Sequence, residues 1–589
     1  MSSEKIISAG VFTRENDQSF LPQGIGEIGA AVVGPTVKGR ALVPTLVSSY
    51  AEFQELFGDT FDSGSDSYQY LTSMLAESYL KYGNNLLVTR ILAGSYSAAD
   101  SQIPKTGSLW TDAENVAASS SFTLYTLGDG AILNSTSSIG TNNLLSSGSK
   151  DNFQWEVSNV NSTKGTFTLL IRRGDDNIKR KVILEQWNNL NMDPKSSNYI
   201  EKRIGDQVYT LRDSGTTTPF LQLSGSYENK SKYVRVAINS TYQTPDYLDE
   251  NGNIRNSDYS GSLPSPSSGS FANGSDGNVK HPQNFYENIA NANTQGYDPN
   301  VAGSGSTAYL DALKILSNQL EYDFNLLLLP GIIDNQSNHE AVATKAVDVC
   351  EDRGDCFCIL DPCIYGSSIT DATTESGTRD TNYSAHYWPW VKIPDTQTGK
   401  NVWVPASIAA ARAFTFNDKV GYPWYAPAGL NRGALDNVIS AERKLTRGNL
   451  DDLYDANVNP VATFPREGVV IWGQKTLQKK ASALDRINVR RLLIAAKKFI
   501  ASTSRYLVFE NATASLMNKF VNLVNPYFED VASKQGLFAF KVVMDSTNNT
   551  SDTIDRNELH GAIYLQPSRT AEFLVIDFNI LPTGAEFPS

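Results

Sequence analysis

The sequence predicts a multidomain protein of mixed α/β and α+β class: a discontinuous α/β core domain interrupted by an inserted β-rich domain, then a C-terminal α+β domain. Extended strand arms are expected at both ends. Three observations predict it. Apolar strands alternate with helical patterns over residues 24–94, stop, and resume near residue 310. The intervening stretch, about 101–306, is rich in Ser, Asn, Gly and Thr and carries period-two strand patterns. From Tyr387 onward, strong helical patterns are separated and closed by strands. The expected domains are 1–20 (arm), 21–100 with 307–365 (α/β), 101–306 (insertion), 366–570 (α+β) and 571–589 (arm). At roughly 100–200 residues per domain, 589 residues hold several cores.

In chain order, Ile6, Ile7, Val11 and Phe12 form a short apolar strand with no periodic partner, the signature of an extended arm. Ala30 to Val33 predicts a buried strand ending at Gly34-Pro35. Ser49 to Phe57 and Tyr68 to Lys81 predict helices, and Leu86 to Ile91 a buried strand. Within the insertion, Thr166 to Ile171 alternates and meets a Gly174-Asp175-Asp176 turn; residues 246–277 read as loop. The α/β texture returns with a helix over Leu310 to Leu320 and the strand Phe324 to Leu329, closed by Pro330-Gly331. A helix over His339 to Cys350 and the strand Cys356 to Leu360 follow. Further on, helices are expected over Ala434 to Leu445, Arg486 to Ser504 and Ala514 to Ala532, with strands at Gly468 to Trp472 and Leu507 to Phe509. Strands Phe538 to Asp545 and Gly561 to Gln566 precede Glu572 to Leu581, where Leu574, Ile576, Phe578 and Ile580 share one face.

A net charge of −13 argues against a chain that coats a phosphate backbone, so no nucleic-acid partner is expected. No stretch approaches the ~20 apolar residues of a membrane span, and the start lacks the basic and apolar regions of a secretory signal, so neither membrane insertion nor export is expected. All four cysteines crowd into Cys350, Cys356, Cys358 and Cys363, which fits synthesis in a reducing cytoplasm.

Catalytic patterns are missing. His281, His339, His386 and His560 have no second histidine four residues away, and no phosphate-cradling loop or nucleophile elbow occurs. Cys356 and Cys358 lie two apart on a strand, unlike the turns that converge thiolates on zinc, so buried thiols are expected. Asp249 to Asn253 resembles part of a calcium loop, but Tyr247 stands where the first ligand belongs, leaving an Asn-Gly turn. No enzyme activity, cofactor or metal is expected. Basic residues gather over Lys479 to Lys498, read as a helix: a solvated face, or an electrostatic docking surface for an acidic protein.

Several segments together resemble one family. GVFTREND is followed by AAVVGPTVKGRALVPTLVSSYAEFQELFG, with Gly34-Pro35, Lys38-Gly39 and the Phe53 to Gly58 helix end; the insertion holds Asn189 to Pro194 and Ser197 to Ile200. LLLLPGIID, FCILDPC, AHYWPWVKI, VWVPASIAAARAF, FPREGVVIWGQKTL, INVRRLLIAAKKFI and TAEFLVIDF then follow in order. This series resembles the contractile-tail sheath family of phages, phage-tail-like bacteriocins and type VI secretion machines. The resemblance implies a non-enzymatic virion subunit that assembles as helically stacked hexameric rings around a tail tube, contracts, and meets baseplate and tail terminator proteins. It implies inter-subunit arms carried by Ile6, Ile7, Val11 and Phe12 and by Phe573, Leu574, Val575, Ile576, Phe578 and Ile580. The basic helix, with Arg486, Arg490, Arg491, Lys497 and Lys498, is the expected tube-facing surface, and the insertion is expected to face outward. The competing readings are a tube or baseplate component and a receptor-binding module on the insertion.

Overall fold

The structure, a computed structural model, describes residues 29–63, 66–104, 120–136, 147–161, 164–238, 251, 263–278, 288–300 and 306–572. Its centre is one eight-stranded sheet. In spatial order the strands are Thr45–Val47, Leu86–Arg90, Ala30–Gly34, Leu326–Ile333, Phe357–Asp361, Ser384–Trp388, Val458–Phe464 and Gly468–Ile471. The two edge pairings are antiparallel and every pairing between them is parallel. AAVVG, LLVTR, LLLLPGII and FCILD are buried at every position, as strands covered on both faces must be.

Alternation along these strands divides the core in two. Val32, Leu328 and Ile359 pack with Leu71, Met74 and Leu75 of the helix Leu71–Leu80 and with the alanine-rich helix Ala406–Val420. Val33, Leu327, Leu329 and Cys358 face the opposite way, against Ala312 and Leu313 of the helix Ser306–Leu316 and Val342 and Ala346 of the helix Glu340–Arg353. The result is a helix–sheet–helix sandwich.

This sheet does not stop at residue 365, where a domain boundary was expected. Ser384 pairs with Cys358 and Val458 with His386, so strands from 384–471 extend the α/β sheet. The helices Ile369–Ser376, Ala406–Val420 and Arg447–Asp455 lie between these strands in sequence and continue the α/β alternation. The expected helix over Ala434 to Leu445 is absent. Leu435 instead donates its backbone N–H to Val469, Ser440–Ala441 pairs with Val391–Pro394, and the helix starts after Thr446, which forms a capping box with Asn449. Pro330-Gly331 does not close its strand, which runs to Ile333 through a register shift. Tyr68 belongs to the hairpin Thr60–Ser63/Asp66–Gln69, and Leu507 ends a 3-10 turn rather than starting a strand.

The insertion is a small sandwich. One sheet runs Ile183–Leu190, Thr166–Arg173, Phe153–Asn161, Ser267–Ser270, and the other Val234–Ile238, Ser120–Asp129, Ala98–Pro104. Phe122, Trp155, Phe167, Leu169 and Ile171 fill the space between. The insertion is fixed to the core: buried Arg90 donates to the carbonyls of Gly39 (2.7 Å) and Asp129 (2.6 Å), and Lys38 pairs with Asp151 at 3.2 Å. Among the described residues no helix is long and apolar enough to cross a membrane.

Candidate assembly site

Beyond residue 478 the chain builds a separate unit. The helices Ile487–Ser504 and Ala514–Ser533 and the hairpin Leu537–Val543/Ala562–Pro567 enclose Leu492, Ala496, Phe520, Val524, Phe528 and Val531. In the hairpin Phe540 faces Leu565 and Val542 faces Ile563, and these pack inward with the same cluster. Lys541 is opposite Tyr564 on the other face. Phe538 is 75% and Tyr564 63% exposed. Among the described residues each strand of this sheet has a neighbour on one side only, so both outer edges present unpaired backbone donors and acceptors.

The chain leaves this hairpin at Pro567 and is clamped at Glu572. Arg486 grips Glu572 with two bonds, Nε to Oε1 at 2.8 Å and Nη2 to Oε2 at 2.9 Å; Tyr454 (2.9 Å) and Gln474 (3.0 Å) donate to the same carboxylate. Burial pushes the Glu572 carboxyl up, but the bonds from Arg486, Gln474 and Tyr454 outweigh it and hold it below the ordinary range. The arm residues Ile6, Ile7, Val11, Phe12, Phe573, Leu574, Val575, Ile576, Phe578 and Ile580 lie outside the described residues.

The basic residues do not form the expected solvent-facing surface. Residues 479–482 are irregular, Ala483–Asp485 is a 3-10 segment, and the helix begins only at Ile487. Arg490 and Arg491 are each 4% exposed. Arg490 donates to Asn382 (2.5 Å) and stacks on Tyr383; Arg491 pairs with Asp418 (2.5 Å) beside Phe414. Lys498 is buried against Asp323 and the Phe324 carbonyl. Arg486 holds Glu572, leaving Lys497 as the exposed one of these five. These cations dock the C-terminal unit onto the core within one chain.

His339, His386 and the cysteines lie in the interior. His339 Nδ1 accepts from Ile333 N–H (3.1 Å) and Nε2 donates to the Ala290 carbonyl (3.2 Å); burial lowers its pKa to about 4. His386 Nε2 lies 3.1 Å from buried Asp334, which also takes a two-pronged bond from Arg379. All four cysteines are buried and free, and among the described residues no three His, Cys, Asp or Glu side chains are grouped to hold a metal.

Comparison with known proteins agrees with this architecture. Residues 302–477 match the phage tail sheath protein central domain and residues 479–580 the phage tail sheath C-terminal domain, meeting where the sheet ends and the hairpin unit begins. Over these residues the chain matches the phage tail sheath family. The tail sheath protein of Vibrio phage KVP40 is 35% identical over 231 residues, 39% of this chain and 33% of that one. The tail sheath protein of Enterobacteria phage T4 is 31% identical over 267 residues, 42% of this chain and 40% of that one. The matches thus span only a third to two-fifths of these curated relatives. A crystal structure of a sheath tail protein from Listeria innocua shares the fold over 92% of this chain and 96% of its own, with a TM-score of 0.52 at 10% identity.

The open hairpin and the Glu572 clamp escaped the sequence reading. Phe538 to Asp545 is legible as a strand, but nothing in it says that only one neighbour will pair with it. Arg486 and Glu572 are separated by 86 residues, and no local pattern links them.

Proposed function

We propose that this chain is the structural subunit of a contractile tail. Copies polymerise around a tail tube as helically stacked hexameric rings, and the lattice repacks from an extended to a contracted state that drives the tube through a cell envelope. The subunit is a virion component assembled in the host cytoplasm, and its end rings meet baseplate and terminator proteins. The open two-stranded sheet carries this reading. Its free edges accept strands from neighbours, the main chain giving affinity and alternate side chains giving register. Residues 6–13 and 572–581 are the donors, and the clamp on Glu572 fixes where the C-terminal donor departs. Such a mesh keeps subunits connected while larger surfaces slide, so contraction draws on metastable packing rather than on a nucleotide.

Electron microscopy tests this with the intact chain, tube protein supplied as template, and with chains lacking residues 1–20 or 571–589. Wide tubes or stacked rings from the intact chain, lost on either truncation, are expected. Polymers of unchanged width and yield from the truncated chains contradict the arm mechanism.

A further inference from the structure

We propose that the cavity between the insertion and the α/β core is a binding site for a small oxyanion, a phosphate or carboxylate group. The cavity, about 260 Å³, is bounded by the hairpin Val208–Arg212/Phe220–Ser224, and its lining includes Arg40, Tyr96, Asp129, Gln207, Tyr209 and Arg235. Arg40 and Tyr96 belong to the core segment, Tyr209 and Arg235 to the insertion. The hairpin tip is held down on the core helix Ser306–Leu316: Ser214 Oγ donates to Asp311 at 2.7 Å and the Gly215 N–H at 3.1 Å. Both walls are therefore built.

Neither arginine has a hydrogen-bonded or ion-paired acceptor in the protein, although the Asp129 charge acts on both. Among the described residues neither the Arg40 nor the Arg235 guanidinium makes a hydrogen bond or ion pair; Arg235 stacks on Tyr125 at 4.2 Å. Four other sheltered guanidiniums of this chain do have acceptors: Arg90 has carbonyls, Arg172 has Glu156 and Asp176, Arg353 has Asp355, and Arg379 has Asp334. A guanidinium has five donors in a rigid fork, and withdrawing it from water without an acceptor is costly. Asp129 is the acidic residue of the lining. Its Oδ2 accepts from the Ala41 N–H at 2.9 Å, and it forms no ion pair with either arginine. Burial lowers the pKa of both arginines and raises that of Asp129, outweighing the attraction between Asp129 and the two arginines. Two forks and one carboxylate leave the site cationic. The volume exceeds several waters at ~30 Å³ each, enough for a phosphate-sized group. An oxyanion that takes one fork from the core and one from the insertion would tie the two together.

Calorimetric titration of the intact chain with inorganic phosphate, and separately with acetate, tests this and distinguishes the two classes. Saturable binding of one equivalent is expected, absent with chloride at equal ionic strength. Arg235→Gln should weaken it at least about tenfold, the loss of one charge-assisted hydrogen bond. No saturable binding of either oxyanion, or undiminished binding by the variant, overturns the proposal. If the variant fails to fold, phenylglyoxal labelling of the native chain replaces it. Phosphate should then protect Arg40 and Arg235 but not exposed Arg203 or Arg466; labelling indifferent to phosphate overturns it.

Discussion

Arg491 illustrates how a single residue changes meaning once its surroundings are known. In sequence it is one of several cations on an acidic chain; in the structure it is buried, paired with Asp418 and stacked near Phe414. Arg491→Glu therefore places two like charges together away from water and is expected to cost about 3–5 kcal/mol, read as a lower midpoint in urea unfolding. A variant as stable as the wild type but unable to bind tube would restore the docking surface read from the sequence. Asp361 gives a pH prediction at the same scale. Burial raises its carboxyl to about 7 despite two bonds from Ser407, against an ordinary value of 3.8. The folded state thus holds this proton more tightly than the unfolded chain. Its contribution to stability is complete below about pH 4 and is lost as the pH rises through about 7. Asp361→Asn should flatten that decline in a series of melting curves from pH 4 to 8; an unchanged slope rules the assignment out.

Among the elements, the C-terminal hairpin has two faces with separable roles. Its inner face rests on a cluster in which Phe528 is fully buried, so Phe528→Ala is expected to cost about 3–5 kcal/mol by transfer and cavity terms, measured by denaturant unfolding. Its outer face bears exposed Phe538. Phe538→Ser should leave monomer stability within about 0.5 kcal/mol while reducing polymer yield in sedimentation assays. Equal loss of stability in both variants would mean that Phe538 serves the subunit's own core. At the clamp, Glu572→Ala removes the acceptor of four bonds and should lower polymer yield without moving the melting temperature of the main sheet.

For the molecule as a whole, the sequence was most legible where burial makes strands uniformly apolar. AAVVG, LLLLPGII and FCILD announce a two-sided parallel sheet split by an insertion, and the sheet is built from those strands. The boundary at 365 was not legible, because SAHYW and VNPVATF mix polar residues into strands whose polar groups are satisfied internally, Asn459 donating to the carbonyls of His386 and Lys475. The first half of the helix Ala406–Val420 is mostly alanine, so its apolar stripe is faint in sequence although it packs closely on the sheet. The role of the basic cluster was illegible for another reason: its partners Asp323, Asn382 and Asp418 are distant in sequence, so only the fold reveals that the charges are spent internally. The central claim concerns the two edges of the hairpin that no strand pairs among the described residues, and hydrogen–deuterium exchange tests it most directly. Amides of Leu537–Val543 and Ala562–Pro567 should exchange far more slowly in assembled polymers than in the free subunit, because donated strands occupy both edges. Equal exchange in the two states would contradict strand addition at this sheet.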